Sequence, residues 1–139
     1  MFIGQFVKGQ PYAEIETVRK NLPGIKVKQF GLDCFIVNAP TEKDIRAARQ
    51  GLETMKKIVS DGRYDLVIMD EVTIALYYNL FLLDEILEII RAKPDHVELI
   101  LTGRYATEKL IDAADLVTEM KEIKHYYQRG IEARKGIEF

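Results

Sequence analysis

The sequence has little of several residue types that mark particular classes of protein. Its single cysteine, Cys34, excludes an internal disulfide framework and suits a reducing compartment, for which the cytoplasm is the default expectation. Its two histidines, His96 and His125, have no second histidine or cysteine at metal-ligand spacing, so we expect no transition-metal cluster. The apolar stretch from Ile74 to Leu83 is interrupted well before the ~20 residues that a membrane span needs. We therefore predict a soluble chain with no membrane partner.

The sequence has no large excess of positive or of negative charge. The sequence has 20 Lys and Arg against 22 Asp and Glu, so no basic excess indicates nucleic-acid binding. A length of 139 residues and a hydrophobic content of 47% suit one globular domain with a sizeable core. We predict a single domain over residues 1–139, whose partners bind at local sites.

Short apolar runs recur along the chain and indicate β-strands. Ile25 to Lys28 alternates apolar residues with lysines, which is typical of a half-exposed strand near a sheet edge. The other runs are compact enough for strands that are buried on both faces of a parallel sheet. These predicted strands are Phe2–Val7, Tyr64–Met69, Val97–Leu101 and Leu116–Met120.

Helical patterns separate the predicted strands. Thr41 can cap one helix, with Asp44 at the capping-box spacing, apolar residues at intervals of three and four, and Gly62 at its end. Leu82–Ile90 forms a second helix, and Thr107 can cap a short third one. This alternation predicts an α/β fold with a mostly parallel sheet flanked by helices.

Polar residues follow the predicted strands. In open parallel α/β sheets, ligands bind outside the carboxyl ends of the strands, so these residues should meet at one rim. A carboxylate pair, one or two cations and a glycine turn would suit a phosphorylated, metal-bound ligand. The residues concerned are Lys8, Gly9, Asp70, Glu71, Thr102, Gly103, Arg104 and Glu119.

Each of these candidates also has a plainer interpretation. Asp70-Glu71 after four apolar residues has the form of a Walker-B strand end that holds Mg²⁺, but it could be a strand that leaves the sheet with two acids. Arg104 could bind a phosphate or be a surface arginine in a polar turn, and Lys8 could be simply solvated. Tyr77 and Tyr78 are considered separately, because they could line a flat hydrophobic ligand or belong to the core.

The order and spacing of several motifs make the interpretation more specific. The sequence resembles the P-loop-type ATP:corrinoid adenosyltransferases, which move the 5'-deoxyadenosyl group from ATP to Co(I) corrinoids. Any one of the motifs is weak, but they occur in the family's order almost from end to end. They are Gln5–Gly9, Tyr64–Glu71, Ala75–Leu76, Arg91–His96, Leu101–Arg104, Ala113–Met120, Lys124–His125 and Gly130–Phe139.

The resemblance implies a RecA-like P-loop NTPase fold, usually a homodimer, with ATP and Mg²⁺ at the sheet rim and the corrinoid beside them. It implies that Glu71, with Asp70, is the catalytic and metal-linked acid, and that Thr102 and Arg104 contact the nucleotide. The further nucleotide- or cofactor-binding residues that we predict are Lys8, Gly9, Gly103 and Tyr78. The corrinoid cobalt is the nucleophile, so no catalytic histidine is required.

Two features depart from the family pattern. Family chains begin with a strand and a Gly-x-Gly-Lys-Gly-Lys-Thr-Thr type loop, whereas no GxxxxGK[ST] occurs in this sequence. Relative to the family we therefore expect the first strand and the P-loop to be missing, and ATP binding to be weak. Leu32 and Cys34 stand where members that displace the corrinoid lower ligand have aromatic residues, which leaves Phe35 as the nearby aromatic.

Two alternatives to an active adenosyltransferase stay open. A non-catalytic corrinoid- or partner-binding homologue would bind a corrinoid without turning over ATP. An unrelated P-loop-like ATPase or kinase remnant would need a Walker-A sequence and a residue that positions its nucleophile, neither of which occurs here.

Overall fold

A computed structural model describes residues 1–32, 36 and 39–134 of the chain. Strands and helices alternate along most of its length, followed by an extended segment with one 3-10 turn, Tyr126–Arg129. The strands are β1 (Phe2–Phe6), β2 (Lys26–Phe30), β3 (Leu66–Asp70) and β4 (Glu98–Leu101). The helices are α1 (Ala13–Asn21), α2 (Glu42–Asp61), α3 (Val72–Tyr77), α4 (Leu83–Ala92) and α5 (Glu108–Asp112).

The four strands form one parallel sheet in the order β2-β1-β3-β4. Ile3 pairs with Val27 on one side and Ile68 on the other, and Ile68 in turn pairs with Ile100. The sheet is flanked by helices, which confirms the predicted α/β class and is consistent with a RecA-like arrangement. The edge position of β2 is also as predicted.

Helix α2 shows how local sequence sets the fold. The Thr41 hydroxyl accepts a hydrogen bond from the backbone N–H of Asp44 at 3.3 Å, and the Asp44 carboxylate accepts one from the Thr41 N–H at 2.8 Å. This reciprocal pair is the predicted capping box, and it satisfies N–H groups that a helix start leaves unpaired. Gly62 ends the helix in the left-handed conformation, with φ 63°.

The core lies between the sheet and the helices that cover it. Phe6 is fully buried, with its ring centroid 5.4 Å from that of Phe30 and 5.5 Å from that of Phe81. Salt bridges from Arg49 to Glu85 and from Lys56 to Glu88 connect α2 and α4 outside this core. The core fixes the positions of β1 and β3, whose carboxyl ends carry four of the predicted site residues, Lys8, Gly9, Asp70 and Glu71. Within the described residues, no helix is long and apolar enough to cross a membrane.

The predicted strand Leu116–Met120 is wrong. These residues belong to no helix or strand, and Leu116 and Met120 are 85% and 94% exposed. A short run with apolar residues suits a strand, but a strand also needs a neighbouring strand for its backbone hydrogen bonds, and the described residues supply none here. Glu119, predicted at the end of this strand, instead forms an exposed ion pair with Lys121 at 3.4 Å.

Candidate functional site

The carboxyl ends of β1, β3 and β4 meet at one rim of the sheet. The register places Gln5 of β1 beside Asp70 of β3, and the N–H of Thr102 donates to the carbonyl of Met69 at 3.1 Å, just past β4. Parallel strands bring their ends together in this way, so the predicted convergence of Lys8, Asp70 and Thr102 is found.

Asp70 is held by three side chains. Its Oδ2 accepts hydrogen bonds from Lys8 Nζ at 3.1 Å and Gln5 Nε2 at 3.2 Å, and its Oδ1 accepts one from Thr102 Oγ1 at 2.8 Å. Lys8 and Asp70 are both about three-quarters buried at their side chains, so this ion pair is partly shielded from water. The carboxylate is therefore fixed in place by its own protein neighbours, and Lys8 is more than a solvated surface lysine.

Glu71 differs from Asp70 in both backbone and side chain. Its backbone is left-handed, with φ 57° and ψ 23°, and its N–H donates to Thr102 Oγ1 at 3.1 Å. Its carboxylate has no hydrogen-bond partner among the described residues. A non-glycine residue in this conformation costs free energy, and such strain occurs often at functional sites. Glu71 thus presents an available carboxylate at the rim while Asp70 is engaged.

Gly103 packs closely against the Glu71 segment. Its φ is 132°, and a Cβ at this position would collide with Thr73 Oγ1 and lie 3.3 Å from Glu71 Oε2. Thr73 anchors the same contact from the other side, because its N–H and its hydroxyl both donate to the carbonyl of Thr102 at 3.4 Å. A glycine at position 103 therefore lets the loop after β4 approach Glu71 directly.

The remaining predicted residues have different surroundings. Arg104 is exposed and forms no ion pair or hydrogen bond with the part of the chain that the structure describes. Tyr78 is half-buried against the core, and its hydroxyl donates to the carbonyl of Ile36 at 3.1 Å. A Cβ on Gly9 would lie 2.6 Å from the carbonyl oxygen of Gly31, so this glycine allows the segments after β1 and β2 to touch.

Two residues at the rim, Gln5 and Thr73, were missed by sequence reasoning. Gln5 is only 7% exposed, and its Oε1 has no hydrogen-bond partner within residues 1–32, 36 and 39–134. A polar residue within an otherwise apolar predicted strand marks Gln5 as unusual, but its place beside Asp70 is known only from the strand register. The sequence around Thr73 has no comparable signal. Cys34 and Phe35, which concern the corrinoid prediction, lie outside the described residues.

The two rim acids, Asp70 and Glu71, are the type of ligand that Mg²⁺ takes in proteins. No group of three or more His, Cys, Asp and Glu side chains that could hold a metal occurs among the described residues. Mg²⁺ does not need such a group, since it is bound through one or two carboxylates together with waters and substrate phosphates. The available carboxylate of Glu71, with Asp70 held behind it, meets that requirement.

The chain is similar to proteins of one family along its whole length. The family model for "ATP:corrinoid adenosyltransferase BtuR/CobO/CobP" matches residues 1–139. The chain belongs to this family. A corrinoid adenosyltransferase from Sinorhizobium sp is 41% identical over 138 residues, covering 97% of this chain and 64% of the relative.

Two further relatives carry the same description. A corrinoid adenosyltransferase from Pseudomonas aeruginosa is 33% identical over 136 residues, covering 97% of this chain and 67% of the relative. Corrinoid adenosyltransferase CobA from Salmonella typhimurium is 29% identical over 136 residues, covering 97% and 68%. The chain therefore spans about two thirds of the length of the curated relatives that it matches.

Proposed function

We propose that this chain takes part in transferring the 5'-deoxyadenosyl group of ATP to Co(I) of a corrinoid, in adenosylcobalamin biosynthesis or salvage. The observation that carries the proposal is the rim itself. An engaged Asp70 and an available Glu71 stand beside Thr102 and Gly103, in a chain that the family model matches throughout. The names of the relatives support the same reaction class. We further propose a single domain over residues 1–139, a cytoplasmic location and a homodimer.

The proposed reaction is a nucleophilic displacement at the C5' carbon of ATP. The electron pair of Co(I) forms the cobalt–carbon bond, the C5'–O bond breaks, and the triphosphate leaves with the electrons of that bond. No proton has to move at the carbon, so the protein's contribution is to align the two substrates and to stabilise negative charge on the leaving group. Side chains at the rim that carry or balance charge are therefore the relevant ones.

Glu71 is the proposed ligand of Mg²⁺, either directly or through a bound water. A Mg²⁺ ion bound there would neutralise charge on the phosphate oxygens. Asp70 is proposed as the second acid, and its hydrogen bonds from Lys8, Gln5 and Thr102 keep it oriented toward the rim. Holding one acid while leaving the other available suits a site that must bind and release a metal–nucleotide complex.

Contacts to the nucleotide are proposed for the loop after β4. The exposed Arg104 guanidinium has five N–H donors that can bind phosphate oxygens in pairs, and the adjacent Gly103 allows a close backbone approach. Lys8 is the second cation at the rim. Gly9 and Tyr78 are proposed to support the site by packing, because Gly9 lies against Gly31 and the Tyr78 hydroxyl donates to the carbonyl of Ile36.

The first test is isothermal titration of the chain with MgATP, with and without a corrinoid, beside two variants. Glu71→Gln removes the proposed metal ligand at nearly constant size and should weaken MgATP binding by at least about tenfold, as charged-group hydrogen bonds and ion contacts predict. Glu53→Gln, on the exposed face of α2 and without a described partner, is the matched control and should bind as the parent chain does.

Different outcomes separate the candidate functions. MgATP binding that Glu71→Gln weakens and Glu53→Gln does not would support the adenosyltransferase proposal. Corrinoid binding with no response to MgATP would favour the non-catalytic corrinoid-binding homologue. Equal MgATP affinity in the parent chain and in Glu71→Gln would remove Glu71 from the metal site.

A further inference from the structure

A pair of exposed tyrosines lies next to the rim. Tyr77 at the end of α3 and Tyr105 on the loop after β4 have ring centroids 4.5 Å apart, with an angle of 32° between the ring planes. The residues are 57% and 62% exposed. Aromatic side chains contribute most when their faces are covered, so two rings that contact each other and still face solvent form a surface that a ligand can cover.

These rings form part of the wall of a cleft with a volume of about 240 Å³. Drug-sized ligands occupy pockets of about 300 to 1,000 Å³, whereas one water has a share of about 30 Å³ in the liquid. The cleft therefore suits a planar group of one or two fused rings, and it is too small for a corrin macrocycle. It is lined by Leu76, Tyr77, Asn79, Phe81, Leu82, Leu83, Tyr105 and Thr107.

The lining combines apolar surface with a few polar groups. Leu82 and the two tyrosines are exposed apolar or aromatic residues, and Phe81 is buried beneath them. Asn79 and Thr107 add an amide and a hydroxyl, which can pair with ring nitrogens at the edge of a bound heterocycle. Mostly apolar walls with a few polar groups that fix orientation are typical of small-molecule sites.

The backbone around the cleft is strained at two lining residues. Tyr105 has φ 63° and Asn79 has φ 54°, both in the left-handed region. Asparagine adopts this conformation fairly readily, but for a bulky residue such as tyrosine it is unusual and costs free energy. The strained conformation of Tyr105 accompanies the contact of its ring with Tyr77. Strain of this kind occurs often at ligand-binding positions.

The two walls of the cleft are continuous with the proposed metal and phosphate site. Tyr105 follows Gly103 by two residues on one wall, and Tyr77 ends the helix that begins just after Glu71 on the other. The hydrogen bonds from Thr73 to the carbonyl of Thr102 join these two segments. A ligand that is held at the rim could therefore place a ring in the cleft.

We propose that the Tyr77–Tyr105 cleft binds a planar nitrogen heterocycle of one or two fused rings by stacking. Two substrates of the proposed function contain such a ring: ATP has adenine, and complete corrinoids have a benzimidazole-type nucleotide base. The assignment of the ring to ATP or to a corrinoid rests on the proposed function. The binding of a planar ring in the cleft does not. The chemistry shared by both is a flat, weakly polar face with nitrogen acceptors at its edge.

The test uses adenosine and benzimidazole as probes, and ribose 5-phosphate as a ligand that lacks the base. Binding is followed by NMR of the chain with ring-labelled tyrosine, which reports Tyr77 and Tyr105 individually once each is assigned by substitution. Tyr77→Ala and Tyr105→Ala should each weaken ring binding by about tenfold, since stacking of a base on an aromatic side chain contributes about 1 to 3 kcal/mol. Tyr77→Phe and Tyr105→Phe keep the ring face and should retain most of the affinity.

Tyr127→Ala is the matched control, because Tyr127 is 81% exposed on the 3-10 turn and does not line the cleft. Binding of adenosine alone would assign the cleft to the nucleotide, and binding of benzimidazole alone would assign it to the corrinoid base. Binding of both probes would show that the cleft recognises planar nitrogen heterocycles without distinguishing the two bases. If neither probe shifts the Tyr77 and Tyr105 signals, or if Tyr127→Ala weakens binding as much as Tyr105→Ala does, the proposal is overturned.

Glu71→Gln separates this proposal from the proposed function. The substitution should weaken MgATP binding and leave the binding of free adenosine or benzimidazole unchanged, because neither probe carries phosphate. Ring binding in a chain that shows no response to MgATP would support the cleft proposal and contradict the proposed metal–nucleotide site. MgATP binding in a chain whose Tyr77 and Tyr105 signals respond to neither adenosine nor benzimidazole would support the metal–nucleotide site and contradict the cleft proposal.

Discussion

Gly103→Ala is expected to destabilise the rim of the sheet. The new Cβ would collide with Thr73 Oγ1 and lie 3.3 Å from Glu71 Oε2, and the φ of 132° disfavours any L side chain. Backbone strain of this kind costs about 1 to 3 kcal/mol, and a displaced Thr73 hydrogen bond adds about 1 kcal/mol, so we expect a loss of about 2 to 4 kcal/mol. Thr73 is buried, which limits its room to move away.

Urea denaturation followed by circular dichroism measures this loss as a lower midpoint at an unchanged slope. Gly24→Ala is the control, because no atom lies within 4 Å of a Cβ there and its φ is outside the left-handed region. That substitution should be neutral or slightly stabilising. Equal midpoints for Gly103→Ala and the parent chain would refute the close approach of the loop after β4 to Glu71.

Two further substitutions probe the hydrogen bonds around Asp70 and the start of α2. Thr102→Val removes both the donor to Asp70 and the acceptor of the Glu71 N–H, so it should lower the free energy of unfolding by about 1 to 3 kcal/mol, while Thr102→Ser should restore most of it. Thr41→Ala breaks the capping box and should cost about 1 kcal/mol in the same denaturation experiment, with no change in MgATP affinity.

Local chemistry explains which parts of the fold could be predicted from the sequence. The start of α2 was predictable because Thr41 and Asp44 satisfy each other's backbone groups without help from the rest of the chain. The meeting of Asp70 with Thr102 was predictable because Asp70 ends one parallel strand and Thr102 directly follows another. In each case the residues and their spacing contain all the information that the inference needs.

The missed features depend on the tertiary structure. Helix α1 was missed because its sequence lacks the apolar periodicity that identified α2. In the structure, Ile15 is its one buried residue. The wrong strand, Leu116–Met120, had a suitable pattern, but strand formation also depends on an available neighbour. The role of Gln5 depends on its register with Asp70, and the left-handed backbone of Glu71 accompanies a hydrogen bond from its N–H to the distant Thr102. None of these can be deduced from a residue and its near neighbours in the sequence.

The position of β4 affects how every binding experiment above has to be performed. This strand is at the end of the sheet order, and its outer edge has no partner strand within the described residues. Ile100 on β4 and Leu116 and Met120 beyond it are exposed. An unpaired edge next to exposed apolar residues is a template for pairing with another chain, so association should increase with protein concentration. Affinities therefore have to be measured at several protein concentrations, with the concentration of unassociated chain in the binding equation.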